Sequence, residues 1–307
     1  MVFAYQPTGS WFFEKPPQFV ENTTEGVPPA SSTFALLGNV IDLNPQLMVG
    51  KSIDDGLGAR DIISQTGLTE KYSASIRWKP QTSLAYAKYG FNLPNEGTPA
   101  GTNAADTTLV WSQLVDGTEK FYALVGIKID KTSIEISKDG GVVIGQDVKA
   151  LDYLFEADDL DDIGITTPTY INAVPSTPTM TSKSGGLEPL SIDGSPRETN
   201  RFKVDINHNV QELDLNGPST VQHLGAARRR IQIDFDTVYR DPTFHNAYKN
   251  QTQHDIEYII YNAVSPPIKM SFIDCQLDQC RRTIQGTSNN FDMESVIATP
   301  ISGTLTG

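Results

Sequence analysis

The stretch YSASIRW at residues 72–78 and the stretch IQIDFDTVY at residues 231–239 alternate polar and apolar side chains, and each occupies the same place in its half of the chain. Each is preceded by a related motif, LGAR at residues 57–60 and LGAAR at residues 224–228. Each is followed by a proline and a short segment of helix-forming residues. The alternation predicts half-buried β-strands. A repeat unit of well over about a hundred residues is too long for a solenoid and predicts two related domains.

The length and composition agree with two globular domains. The chain has 307 residues, of which 38% are hydrophobic, so each half can bury a core of its own. We divide it into an extended N-terminal arm (1–30), a first module (31–165), a linker rich in proline and glycine (166–198) and a second module (199–307). We expect both modules to be mainly β, each with one short α-helix.

The charge and the terminal sequence restrict the possible partners. A formal net charge of −13 argues against a basic nucleic-acid groove, because phosphate binding needs clustered lysine and arginine. No apolar run is long enough to span a bilayer, and no basic segment precedes an apolar one at the N-terminus. We therefore expect synthesis in a cytoplasm, without a membrane anchor or a secretory signal.

Turn and helix signals locate the individual elements. Asp116-Gly117 between two strand-like stretches predicts a β-hairpin, and residues 138–141 predict a second one. Helices are expected over residues 82–89 and 243–250, and the second follows Asp241-Pro242, an acidic cap with proline at the first helical position. Residues 256–261 and 268–273 are expected to form a strand pair.

The N-terminal arm carries an aromatic cluster of Trp11, Phe12 and Phe13 among prolines that keep the chain extended. Two interpretations stay open. The segment is a disordered tail, as is common at termini, or its aromatic side chains dock on a neighbouring subunit.

The densest acidic cluster comprises Asp158, Asp159, Asp161 and Asp162. Several oxygen ligands make a calcium site conceivable, but the spacing of an EF-hand loop is absent. A solvated acidic loop is the more common outcome for such a cluster, and we predict no bound metal.

Arginines stand out in this acidic chain at Arg228, Arg229 and Arg230. Read alone, they could contact phosphate. In a self-assembling protein they could instead meet acidic residues of a neighbour, such as Asp54 and Asp55 or the cluster at residues 158–162, since charge complementarity fixes register. The alternative is that strand alternation simply sends these arginines to solvent. Together with the aromatic cluster, we take these arginines, the two aspartates and Arg60 as candidate assembly contacts.

The two cysteines, Cys275 and Cys280, are separated by four residues. If those four residues form a turn, the thiols oppose each other across a hairpin at disulfide distance. The spacing does not match redox or zinc motifs, and we expect free thiols.

Signatures of catalysis are missing from the sequence. It contains no G-x-S-x-G nucleophile elbow, no phosphate-binding Walker loop and no H-E-x-x-H zinc motif. The four histidines are scattered. We therefore predict no enzymatic activity, no catalytic residue and no cofactor.

The repeated order of a long loop with the L-G-A motif, an alternating strand, a short helix and antiparallel hairpins resembles the tail tube proteins of long-tailed bacterial and archaeal viruses. The most similar stretch spans residues 202–273 and includes Leu224-Gly225, residues 230–233 and the helix after Asp241-Pro242. Residues 34–153 look like a divergent copy. The chain departs from single-module members in its length and in the linker.

The resemblance implies a fold and a function. The family's module is a small β-sandwich or barrel flanked by one helix, and six modules close a ring around a lumen. Rings stack through long loops and terminal arms, for which residues 50–70 and 1–30 are the matching candidates. An acidic lining would let double-stranded DNA pass without specific binding.

With two modules in one chain, three chains would complete a ring of pseudo-six-fold symmetry, and a hexamer of whole chains is the alternative. The expected function is that of a structural tail tube subunit, in a virion tail made in the host cytoplasm, that forms a conduit for genome delivery. The expected partners are further copies of the chain, the tape measure protein and other tail proteins. The alternative function, from a different class, is a tandem β-sandwich binding module of a tail tip, an adhesin or a carbohydrate-binding protein.

Overall fold

The computed structural model describes residues 13–54, 64–81, 106–137, 141–172, 189–213, 223–225, 229–261, 268–283 and 292–306. The helix expected over residues 82–89 lies outside these ranges, as do Trp11, Phe12, Asp55, Arg60 and Arg228.

Ten strands come from the first half of the chain. They are β1 (Phe13–Glu21), β2 (Ser31–Thr33), β3 (Ala35–Leu36), β4 (Asn39–Asp54), β5 (Ser64–Lys79), β6 (Thr107–Val115), β7 (Thr118–Ile136), β8 (Val142–Ala150), β9 (Asp152–Ala157) and β10 (Thr167–Thr169).

Ten further strands and one α-helix follow. They are β11 (Leu190–Ile192), β12 (Ser195–Arg197), β13 (Thr199–Asn207), β14 (Gln211–Leu213), β15 (His223–Gly225), β16 (Arg230–Val238), α1 (Thr243–Asn250), β17 (His254–Tyr261), β18 (Ile268–Thr283), β19 (Met293–Thr299) and β20 (Ser302–Thr306). The fold is mainly β, as the sequence predicts.

A central antiparallel sheet unites the two halves. Its order is β4-β5-β8-β7-β13-β16-β19-β18, so that β7 of the first half pairs directly with β13 of the second. One face of this sheet carries the large apolar side chains, among them Trp78, Phe202 and Phe235, which are fully buried. The other face is lined with polar residues. Buried positions alternate with more accessible ones along β13 from Phe202 onwards and along β16, which produces the two faces.

Two smaller sheets cover the apolar face. One has the order β3-β1-β6-β7-β9, and the other has the order β12-β11-β17-β18-β20. The long strands β7 and β18 each belong to the central sheet over part of their length and to a smaller sheet over the rest. A single apolar cluster runs through both halves, because the central sheet is continuous.

The Asp116-Gly117 hairpin is confirmed. Both residues have positive φ, 50° and 80°, as a two-residue turn that follows the twist of the strands requires. The turn joins β6 to β7 with Val115 opposite Thr118. The strand pair β7–β8 and the strand pair β17–β18 also form as predicted.

Helix α1 spans the predicted residues, but its cap lies one residue later than expected. Pro242 takes the N-cap position rather than the first helical one. The carboxylate of Asp241 nevertheless accepts a hydrogen bond from the Thr243 amide at 2.9 Å, so it still satisfies one of the free N–H groups of the first turn. Phe244 and Ala247 bury the helix against the second half.

The predicted arm and linker both contribute strands. From Phe13 onwards the arm is β1, which pairs with β6 and buries Gln18 and Phe19. At the two ends of the linker, β10 pairs with β2 in parallel, and β11 pairs with β17.

The hairpin suggested for Cys275 and Cys280 is wrong. Strand β18 runs through both residues without a turn, because β19 pairs with it from Gln276 to Thr283. Both thiols are free, as expected. In the described part of the chain, no helix combines the length and apolar character needed to cross a membrane.

Candidate assembly interface

The two halves share one strand plan. Strands β4 to β9 of the first half correspond in order to β13, β16, β17, β18, β19 and β20 of the second. Every pairing within the first set has its counterpart in the second: β4–β5 with β13–β16, β5–β8 with β16–β19, β7–β8 with β18–β19, β6–β7 with β17–β18, and β7–β9 with β18–β20. The duplication seen in the sequence is therefore a duplication of structure.

Matching β-bulges fix the correspondence residue by residue. The pairing of β4 with β5 shifts at Ile41, and that of β13 with β16 shifts at Asn200. The pairing of β7 with β8 shifts at Asp130, and that of β18 with β19 shifts at Asp278. Counting from these bulges, residues 43–48 of β4 correspond to residues 202–207 of β13, and residues 131–135 of β7 correspond to residues 279–283 of β18.

The junction between the halves is formed by β7 and β13. It contains six facing pairs, from Ile136 opposite Phe202 to Lys131 opposite Asn207. Ile134 and Val204, which face each other, are completely buried on the core side. On the open side, Lys203 lies 2.8 Å from Asp205 and 3.9 Å from Glu135. The junction thus has the burial of a protein core and a polar outer surface.

The segment that follows β13 docks on the first half. The amides of His208 and Val210 donate to the backbone oxygen and the carboxylate of Asp130, at 2.8 and 2.7 Å. Val210 and Leu224 are buried, and Leu151 packs against them. The second half of the chain therefore contacts the first half at a second place, beyond the pairing of β7 with β13.

Charged side chains secure this docking. Lys128 donates to the Leu224 carbonyl at 2.6 Å, and Lys149 donates to the Val210 carbonyl at 2.7 Å. Glu212 of β14 pairs with Lys71 at 2.6 Å and with Lys149 at 3.2 Å. Burial opposes the ionisation of Glu212, but the two lysine hydrogen bonds outweigh it and hold the pKa of this carboxyl below its ordinary value.

Glu25 provides a similar contact from the N-terminal segment. Its carboxylate lies 3.0 Å from Nδ1 of His223 and accepts the Leu224 amide at 3.1 Å. Burial again raises the cost of ionisation, but the hydrogen bonds from His223 and Leu224 and the charge of Lys128 lower the pKa of Glu25. Hairpin β14–β15 is therefore held by ionised carboxylates on both sides.

The strands at the two ends of the central sheet correspond to the strands that form the junction. Among the described residues, β4 pairs only with β5, and residues 276–283 of β18 pair only with β19. Ile206 in the junction is 1% exposed, whereas its counterpart Leu47 on β4 is 53% exposed. Leu151 packs beneath the docked segment, whereas its counterpart Ile301 is 72% exposed. The exposed apolar residues thus mark positions that are covered in the other half.

The open face of the central sheet forms a groove lined by both halves. Five basic residues line it, namely Arg77, Lys131, Lys203, Arg229 and Arg230. Five acidic residues also line it, namely Asp42, Asp147, Asp205, Asp274 and Asp278. The described residues that line this groove therefore carry acidic and basic side chains in equal number, and the groove itself has no predominantly acidic lining.

Of the candidate assembly contacts, the structure describes Phe13, Asp54, Arg229 and Arg230. Phe13, expected as a contact with a neighbour, packs against the core of its own chain. Asp54 pairs with Ser64 at the end of β4, far in sequence from Arg229 and Arg230. Arg229 donates to the Gly303 carbonyl at 3.3 Å, and Arg230 is exposed at the start of β16, opposite Asn207.

The acidic loop is a solvated turn. Asp161 and Asp162 begin a short 3₁₀ turn, Asp159 accepts the Asp161 amide at 3.0 Å, and Asp158 forms an ion pair with Lys120. The buried side chain of Leu160 anchors the loop. Within the described ranges, no three metal-binding side chains form a group.

Sequence reasoning missed the sheet ends themselves. Leu43 and Leu47 lie in a polar–apolar alternation that predicts a strand, but the pattern does not reveal which strands lack a neighbour. The sequence feature that could have indicated the sheet ends is the repeat, because two copies of one unit each have the same two edge strands.

Comparisons with known proteins identify no relative of this chain. The chain matches none of the protein-family models with which it was compared, and no curated protein aligns with it.

Proposed function

We propose that this chain is the structural subunit of a viral tail tube, which assembles head to tail into rings that stack into a hollow conduit. The observation that carries the proposal is the junction. It joins one edge of the first unit to the opposite edge of the second, and among the described residues the equivalent edges at the two ends of the central sheet pair with no further strand. A second copy of the chain offers the complement of each open edge.

A contact of this kind is heterologous, so it continues until a ring closes or a filament forms. Closure also removes the open strand edges, which would otherwise favour uncontrolled aggregation. With two units in each chain, a ring of six units takes three chains, which gives pseudo-six-fold symmetry. A hexamer of whole chains would contain twelve units.

The balanced charges of the groove favour a role as a conduit over a role as a binding site for DNA. In a closed ring whose central sheets face inwards, the grooves of successive chains would form one continuous lining. Because its described charges are balanced, the lining would neither hold a DNA backbone tightly nor repel it strongly. On this proposal the lumen admits a tape measure protein during assembly and double-stranded DNA during delivery, in a virion tail built in the host cytoplasm.

Electron microscopy of the purified full-length chain tests the proposal. We expect hollow rods or rings, and a ring mass three times that of the chain. Rings of six chains would contradict the trimer but not the tube. A protein that stays monomeric at high concentration would contradict the proposal and favour a tandem binding module.

A further inference from the structure

From the internal junction we infer the register of the contact between copies. Residues 44–48 of β4 in one copy pair antiparallel with residues 279–283 of β18 in the next. Asn44 faces Thr283, Gln46 faces Arg281 and Met48 faces Gln279 on the open side of the sheet. Pro45 faces Arg282 and Leu47 faces Cys280 on the core side. The inference rests on the proposed self-assembly and specifies its contact.

The register follows from the pairs observed in the junction. Lys203 faces Glu135, and Asp205 faces Ser133. Their counterparts are Asn44 with Thr283, and Gln46 with Arg281, because both strands keep the same distance from their bulges. A shift by one residue would turn the core side of β4 to the open face.

The side chains at the two edges are compatible with this register. The two basic residues of the β18 edge, Arg281 and Arg282, face Gln46 and Pro45, so that no like charges are opposed across the contact. Leu47 lies on the core side, where a neighbouring strand would enclose it as β7 encloses Ile206.

A second, independent similarity lies beyond the paired strands. The Leu151 amide donates to the Val125 carbonyl at 2.9 Å, and the Ile301 amide donates to the Ile273 carbonyl at 3.1 Å. Both halves therefore contain the same backbone contact, which we call the corner. In the first half this corner and the bulge residue Asp130 receive the segment after β13. In the second half Ile273 and Ile301 are exposed apolar residues beside the equivalent bulge at Asp278.

The segment that would occupy this second corner belongs to the next copy. The counterpart of the segment after β13 is the continuation of β4 beyond Met48. There β4 and β5 remain paired as far as Asp54 and Ser64, whereas the pairing of β5 with β8 ends at Tyr72. This two-stranded ribbon therefore extends past the central sheet, and we assign the corner at Ile273 and Ile301 as its docking place on the neighbour.

Cysteine pairs test the register directly. Asn44 and Thr283 lie on the two outermost strands of the central sheet, with six strands between them, so a disulfide between them can form only between copies. We expect the full-length double variant Asn44→Cys with Thr283→Cys to form ladders of cross-linked chains on mild oxidation of its assemblies. The double variant Gln46→Cys with Arg281→Cys, a second facing pair, should behave in the same way.

The control is Asn44→Cys with Arg281→Cys, which shifts the pair by two residues on the same face. We expect it to cross-link about tenfold more slowly, because diagonal partners lie at or beyond disulfide reach. The single variants account for disulfides with the native thiols.

Two negative outcomes are distinguishable. If electron microscopy shows tubes but the shifted pair cross-links as fast as both facing pairs, the register is wrong and the tube remains. If the unmodified chain forms no assembly, both the register and the proposed function fail.

Discussion

Leu47 and Ile206 show at the scale of single residues how one position can have two roles. They occupy equivalent places in the duplicated unit, but among the described residues Ile206 has a strand on both sides, β16 and β7, whereas Leu47 pairs with β5 alone. An exposed leucine on an open strand edge is a site at which a further strand can add, and many proteins block such edges with lysine. Residues 44–48 of β4 contain Pro45 but no lysine, and Leu47 stays accessible at this edge.

The substitution Leu47→Lys should prevent assembly without unfolding the chain. Burying a leucine contributes about 2 kcal/mol, and a buried lysine adds a desolvation cost, so association should weaken by more than about tenfold at each contact. Sedimentation or light scattering measures the loss. Leu114→Lys is the matched control, because Leu114 is 55% exposed and lies on β6, outside the central sheet. Equal loss in both variants would argue against β4 as the contact edge.

Substitutions of the same two residues should have very different effects on the stability of the unassembled chain. Ile206→Ala removes a fully enclosed side chain and should lower the free energy of unfolding by about 2–5 kcal/mol. Leu47→Ala should change the stability of the unassembled chain by less than about 0.5 kcal/mol. Urea denaturation at a concentration that keeps the chain unassembled makes the comparison. Similar losses in both variants would show that Leu47 is already enclosed within the single chain.

The two thiols should be unreactive in the native protein at neutral pH. Burial raises the pKa of Cys275 to about 12, and burial together with the hydrogen bond to Glu294 raises the pKa of Cys280 to about 12. Because the thiolate is the reactive form, a thiol reagent should modify both residues rapidly only after denaturation. Rapid modification of one thiol in the native chain would contradict this. Cys280→Ser identifies which thiol reacts.

At the scale of elements, hairpin β14–β15 depends on ionised carboxylates. The pKa of Glu212 is lowered in the folded chain, so its contribution is present above the ordinary value of 4.5 and is lost as the pH falls through the folded pKa. We expect Glu212→Gln to lower the free energy of unfolding by about 1 kcal/mol at neutral pH.

The difference between Glu212→Gln and the unmodified chain should disappear in acid, as urea titrations at several pH values would show. Glu14→Gln, at an exposed position of β1, is the matched control and should leave the free energy of unfolding at neutral pH unchanged. A Glu212→Gln deficit that persists below the folded pKa would mean that the carboxylate charge is not what holds the hairpin.

Local elements could be predicted from the sequence where their signals are local. The Asp116-Gly117 turn and helix α1 need only the residues at their own ends, and both formed where expected. The suggested turn between Cys275 and Cys280 failed because the pairing of β18 with the following strand β19 overrides the preference of four residues.

The candidate interface could be predicted only in outline. The repeat indicated two equivalent units, but the pairing of β7 with β13 joins residues far apart in the chain, and alternation labels two faces without naming neighbours. Phe13 is an example of the same kind. Phe13 looked like an exposed contact because its partner in β6, Gln113, lies a hundred residues away.

At the scale of the whole molecule, the central sheet of the described chain ends in two different edge strands, β4 and β18. Neither end can pair with itself in the inferred register, because the β4 edge and the β18 edge come from different positions of the unit. In a ring of the proposed kind, this polarity would give one direction around the axis. It also explains why the exposed apolar residues Leu47 and Ile301 occur at opposite ends of the central sheet.

The junction of β7 with β13 has a consequence for the concentration at which rings could form. Half of the joints in a six-unit ring are made when each chain folds, because they are internal, and they cannot dissociate without unfolding it. Only the remaining joints obey mass action, so ring formation would depend on the third power of the chain concentration and not on the sixth. A tube of this design can therefore begin to assemble at concentrations too low for one built from separate single units.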